Sequence, residues 1–215
     1  MDKAHFLKHL DVFAQSRLTL IGYYSLMPRL EPDLPEILQA IRDAGCQTAL
    51  DAAGSGGAMQ PLDRILPHLD VYVPSRAEAE HQTGETEPRR IIDAFRACGA
   101  PGLLGVKLGS EGALLSPAAG QYVDIPIVPP PGPVVDTTGA GDAYYAGLLT
   151  GLLRGMTVEQ AGRLAAATGA CCVTGYGATA GLKGFAETAR LAGLEGVDYA
   201  TFREKGTGPF CRNGP

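Results

Sequence analysis

Val134-Val135-Asp136-Thr137-Thr138-Gly139-Ala140-Gly141-Asp142-Ala143 is the most glycine-dense motif of the chain. It reads as a short strand pattern at Val134-Val135, a glycine turn and the start of a helix. The small residues Gly139, Ala140 and Gly141 leave the backbone N–H groups of the first helical turn open to a ligand. Those donors, with the positive end of the helix dipole, make an anion site. Asp142 falls in that turn, where a carboxylate beside a phosphate is useful as a general base for an attacking hydroxyl. On residue type alone, Asp142 equally suits a helix start that favours acidic side chains, and Asp136 reads as a turn residue. From Leu108 to Leu153 there is no Lys, Arg or His. A phosphate bound here therefore needs backbone amides, a metal ion and basic residues from elsewhere, the combination used in phosphoryl transfer.

Outward from this motif, apolar runs alternate with helical patterns. Downstream, Ala143–Leu153 and Val158–Val173 are two Ala- and Gly-rich helical stretches separated by Gly155, and Thr157 with Gln160 forms a capping box. Upstream, Leu18–Gly22, Thr48–Asp51, Val71–Val73, Leu103–Leu108, Ala113–Ser116 and Tyr122–Val128 read as strands. Leu34–Ala44, a segment opening at Pro61 and Ile91–Cys98 read as helices, the last ending at Gly99. This alternation predicts an α/β fold with right-handed crossovers and a mostly parallel sheet covered on both faces. Pro126, Pro129, Pro130, Pro131 and Pro133 make a linker or a stiff approach to the glycine turn. Residues 1–194 are expected to form one domain, with a loose Gly/Pro-rich tail over 195–215.

The 215 residues, 45% apolar and 19% charged, suit one globular domain and exclude a disordered or fibrous chain. The 29 glycines show no collagen-like period. A net charge of −5 argues against nucleic acid as a partner. The start, Met1-Asp2-Lys3-Ala4-His5, has no apolar signal core, and no apolar run approaches the roughly 20 residues of a membrane span. Five cysteines at irregular spacing, with Cys171 and Cys172 adjacent in an apolar stretch, fit reduced thiols and a cytoplasmic location.

The stretch Asp136–Asp142, Asp-Thr-Thr-Gly-Ala-Gly-Asp, resembles the C-terminal signature of the ribokinase-like (pfkB) carbohydrate kinase family. The resemblance runs roughly from Leu18 to Leu191. Val73-Pro74-Ser75-Arg76-Ala77-Glu78-Ala79-Glu80, with Thr83-Gly84, is similar to the family's Asn-x-x-Glu segment. Val106-Lys107-Leu108-Gly109-Ser110-Glu111-Gly112 is similar to its nucleotide-binding strand and loop. Val173-Thr174-Gly175-Tyr176-Gly177-Ala178 resembles the loop that helps hold a monovalent cation. The resemblance implies a three-layer α/β/α, Rossmann-like domain that transfers phosphate from ATP to a hydroxymethyl group of a sugar or nucleoside, with a homodimer as a possible assembly. It makes Asp142 the base and Gly139, Ala140 and Gly141 the anion hole. Glu78 would orient Mg²⁺ through water beside Ser75, and Lys107, Gly109 and Gly112 would line the nucleotide. Asp136 and Thr138, with main-chain oxygens near Cys172, Gly175 and Gly177, would hold K⁺.

Some positions depart from the family pattern. Ser75 stands where Asn is usual, Ala166 where many members place an Asn near the adenine, and Tyr144 where Phe is usual. The family's N-terminal segment, with its first strands, glycine pair, substrate-binding aspartate and β-lid, has no counterpart. The chain also opens with a helix, joining an alternation already running. Weak ATP·Mg²⁺ binding and poor turnover by this chain alone are therefore expected, and an inactive nucleotide-binding remnant is the alternative. Gly175-x-Gly177-x-x-Ala180 with Glu195 fits a loose dinucleotide pattern, against which stand the helical run from Val158 and the lack of a following strand. Gly54-Ser55-Gly56-Gly57 is no hydrolase elbow. His5 and His9 lie one helical turn apart without a third ligand nearby, as on a solvated face.

Overall fold

A computed structural model of the chain describes residues 2–54 and 57–195; the remainder, including 196–215 of the expected tail, lies outside the described residues. Six strands, β1 (Leu18–Ile21), β2 (Gln47–Leu50), β3 (Val71–Tyr72), β4 (Leu103–Lys107), β5 (Ala113–Ser116) and β6 (Val123–Ile125), form one sheet in chain order. The strands β1 to β4 pair in parallel, with Leu18 opposite Gln47 and Ile21 opposite Leu50, whereas β5 and β6 are antiparallel. The described residues group into two compact units, one running through residue 106 with 116–122, the other holding 107–115 and 123 onward.

The first unit begins with α1 (Lys3–Lys8) and α2 (Leu10–Ala14) and then follows the crossover pattern. α3 (Leu34–Asp43) joins β1 to β2, α4 (Met59–Ile65) joins β2 to β3, and α5 (Arg76–Thr83) and α6 (Pro88–Ala97) join β3 to β4. In α3, Leu34, Ile37, Leu38 and Ile41 are fully buried at the spacing of one helix face. Gln60 is extended, so regular helix in α4 starts at Pro61 as the sequence suggests. Buried Asp70 accepts from the Thr48 amide at 2.9 Å and stands 3.7 Å from the Arg42 guanidinium, so its charge is paired as burial requires.

The second unit adds α7 (Ala140–Leu153), α8 (Val158–Cys172) and α9 (Phe185–Leu191), the last of which the sequence reading did not anticipate. Two glycines set how closely α7 and α8 approach. A Cβ on Gly147 would fall 2.8 Å from Ala165 Cα, and one on Gly151 2.8 Å from Ala161 Cα. The Thr157–Gln160 capping box is present at the start of α8. β6 is shorter than the expected Tyr122–Val128 strand, because Pro126 and Pro129 cannot donate to a ladder. Val134-Val135 is not a strand; the Val135 amide donates instead to the Val173 carbonyl at 2.9 Å.

Candidate active site

Within the second unit the glycine turn is built as a helix start. Gly139 caps α7 in the left-handed region with φ 76°, and its carbonyl accepts from the Ala143 amide at 2.8 Å. A side chain is excluded there twice over, since a Cβ would also lie 2.7 Å from Ala178 Cα. α7 therefore opens at Ala140, three residues earlier than expected, and Asp142 is exposed in its first turn. The Ala140 amide donates to the Thr137 carbonyl at 3.2 Å and so is engaged in the turn. Among the described residues the Gly141 amide has no backbone acceptor, as befits the second position of a helix.

The missing positive charge comes from the end of β4. Lys107 Nζ lies 3.5 Å from where a Cβ on Gly141 would sit and 5.4 Å from the centre of the Tyr145 ring. The glycine at position 141 thus leaves room for an ammonium beside the helix start. Sequence reading placed Lys107 only along a nucleotide; the close approach of the Lys107 side chain to α7 is invisible in linear spacing. After Lys107 the chain turns through 109–111, and Gly112, at φ 94°, has no space for a Cβ against the Ile125 carbonyl. Lys107, Gly109, Gly112 and Gly141 all border a cavity of about 530 Å³ that continues between α7 and α8. That volume lies within the roughly 300–1,000 Å³ usual for small-molecule sites.

The Asp136 loop gathers most of the expected cation residues. Asp136 Oδ1 accepts from the Thr138 amide at 2.9 Å and Oδ2 from the Gly177 amide at 2.8 Å. The Thr138 and then the Gly177 N–H hold this carboxyl below its ordinary range. Cys172 Sγ donates to the Thr138 carbonyl at 3.6 Å and to the Ala178 carbonyl at 3.2 Å, and burial pushes its thiol pKa up. Gly175 closes the turn, its amide donating to the Cys172 carbonyl at 3.3 Å. One carboxylate among several carbonyl oxygens is a donor set that suits a hard cation of low charge. Gly175 and Gly177 follow α8 without a strand before them, which rules out the dinucleotide-turn reading.

In the first unit, Ser75 and Glu78 form a full capping box at the start of α5. Glu78 Oε2 accepts from the Ser75 amide and from Ser75 Oγ, each at 2.7 Å. At 8% exposure Glu78 is not the solvated helix residue that its type alone suggests. Among the described residues its Oε1 carries no bond, and no group of three or more His, Cys, Asp or Glu side chains could hold a metal. Also among the described residues, no helix is long and apolar enough to cross a membrane.

In the second unit the cavity is thus bordered by the glycine helix start and by Lys107, and Asp142 is exposed in the same first turn of α7. Residues 1–183 match the family described as pfkB family carbohydrate kinase, and the chain belongs to that family. It is 36% identical over 124 residues to an uncharacterized sugar kinase of Archaeoglobus fulgidus, covering 56% of this chain and 46% of that protein. It is 33% identical over 148 residues to ribokinase of Arabidopsis thaliana, covering 66% of this chain and 38% of the relative. The chain thus spans under half the length of these curated relatives. Among solved structures, Arabidopsis thaliana ribokinase complexed with ribose and ATP aligns with a TM-score of 0.72 at 27% identity, over 86% of this chain and 58% of that one. Adenosine kinase from Sinorhizobium meliloti aligns at 0.74 and 25% identity, over 85% and 56%. The six-stranded, mostly parallel sheet with its helices agrees with the three-layer α/β/α architecture of these neighbours.

Proposed function

We infer that the chain carries the phosphoryl-donor and base half of an ATP-dependent kinase acting on a hydroxymethyl group of a sugar or nucleoside. The observation that carries this reading is the Lys107 ammonium beside Gly141, at the mouth of an apolar cavity and at a helix start bearing Asp142. The base and ribose fill the cavity, and the phosphates reach the Gly139 and Gly141 amides and Lys107. Asp142 takes the proton of the acceptor hydroxyl as its oxygen bonds to the γ-phosphorus; the bond from that phosphorus to the bridging oxygen breaks, and ADP leaves. The Lys107 charge offsets negative charge that grows on the phosphates in the transition state.

Glu78, through Oε1 and water, and Ser75 are the residues that would position Mg²⁺, which would supply charge neutralisation on the phosphates. Asp136 and Thr138, with main-chain oxygens near Cys172, Gly175 and Gly177, would hold K⁺, whose charge would stiffen the glycine turn. A sugar or nucleoside is the expected partner.

ADP release measured across a panel of sugars and nucleosides, with Mg²⁺ and K⁺, tests this. Asp142→Asn is expected to lower kcat by about 10²–10⁴-fold while leaving ATP affinity nearly unchanged, because the base acts in the transition state. Equal losses in both would reduce Asp142 to a structural residue. ATP binding without turnover on any acceptor would leave a nucleotide-binding protein in place of a kinase.

A further inference from the structure

A wall of the cavity is formed by α8, its cap Val173 and the segment after β6, with Ile127, Val128, Val134, Ala166 and Ala170 beside Val173 in its lining. These side chains are aliphatic, and Pro130, beside them, has no N–H to offer. The other polar side chains of the cavity, Ser110 and Thr137, stand on the turns that also carry Lys107 and Gly139. Tyr144 lines the cavity as well, but its hydroxyl is buried away from solvent and has no hydrogen-bond partner among the described residues. It serves the cavity as an aromatic ring.

Adenine, guanine and hypoxanthine share their ring nitrogens N3 and N7 and differ at positions 1, 2 and 6, N1 being an acceptor in adenine and carrying a proton in the other two. Telling them apart takes a donor or acceptor aimed at those positions; a backbone group that reaches N3 or N7 serves all of them alike. An apolar pocket separates related groups by only about 10–200-fold, whereas a site built to hydrogen-bond one of them reaches about 10⁴–10⁵.

We propose that this wall holds the donor's base by packing alone, so that the chain takes purine nucleoside triphosphates as a class and does not select ATP among them. This rests on the phosphoryl-donor reading above and adds to it the breadth of the donor. Calorimetric titration of the chain with ATP, GTP and ITP, each with Mg²⁺, tests it directly. The affinities are expected to stay within about 100-fold of one another. A wider spread in favour of any purine overturns the proposal while leaving the phosphoryl-donor reading intact. Absence of binding by any of the three, with the chain folded, overturns both. Ala166→Asn sets an amide into the wall and is expected to widen the spread by more than about tenfold, the step that one added hydrogen bond of about 1.4 kcal/mol gives. A spread left unchanged by that substitution would show that the base does not lie against this wall.

Discussion

Tyr144 shows how much one hydroxyl can matter. At 8% exposure its ring packs in the interior, and burial alone raises its phenol pKa above the ordinary value. A buried hydroxyl without a partner carries a desolvation penalty, so Tyr144→Phe is expected to stabilise the chain by about 1 kcal/mol in urea unfolding. Asp136 lies at the other extreme, with both carboxylate oxygens accepting backbone N–H groups. Its depressed folded value means that its contribution to stability is full above the unfolded value of about 3.9 and is lost as pH falls through the folded one. A carbon-detected NMR titration is expected to give Asp136 a midpoint below 3.9, and Asp136→Asn is expected to flatten the acid limb of the stability curve. Asp136 and Asp142 could be singled out as candidates because they lie within one contiguous motif that resembles a family signature. Lys107 was legible as a nucleotide residue but not as the ammonium beside Gly141, since those two residues are distant in the chain and meet only through packing.

At the scale of elements, α7 and α8 owe their close approach to small residues, which in sequence look merely helix-weakening. Glycine in a helix interior ordinarily loses about 1 kcal/mol to alanine. At Gly151 the order reverses, because an added Cβ would lie 2.8 Å from both Cα and Cβ of Ala161. Gly151→Ala is therefore expected to destabilise the chain by about 1–3 kcal/mol, read from the shift of the urea midpoint. Most helices were recognisable from their periodicity, and the α8 capping box from Thr157 and Gln160. α9 was missed because Phe185–Leu191 spans only seven residues with two buried, Thr188 and Ala189, too short a face to show a period. The Val134-Val135 strand failed for another reason. Two β-branched residues suit a strand, but here the available acceptor for the Val135 amide is the Val173 carbonyl after α8.

For the whole molecule, a ligand that binds the folded chain alone must raise its stability by mass action. Mg²⁺·ATP at one hundred times its Kd is expected to add about 2.7 kcal/mol to unfolding, seen as a concentration-dependent rise in Tm. A Tm indifferent to nucleotide would count against the cavity as its site. The sequence by itself determined the strand–helix alternation, and hence a mostly parallel α/β sheet, because burial on one face or two leaves a period in the residues. It also determined the glycine helix start with Asp142, because local backbone geometry depends on neighbouring residues. Only the tertiary structure decided that β5 and β6 pair antiparallel, that Lys107 stands at Gly141, that the Ala140 amide is engaged, and that Glu78 is buried. Those outcomes depend on which distant segments share a hydrogen bond or compete for the same space, and linear spacing carries no record of either.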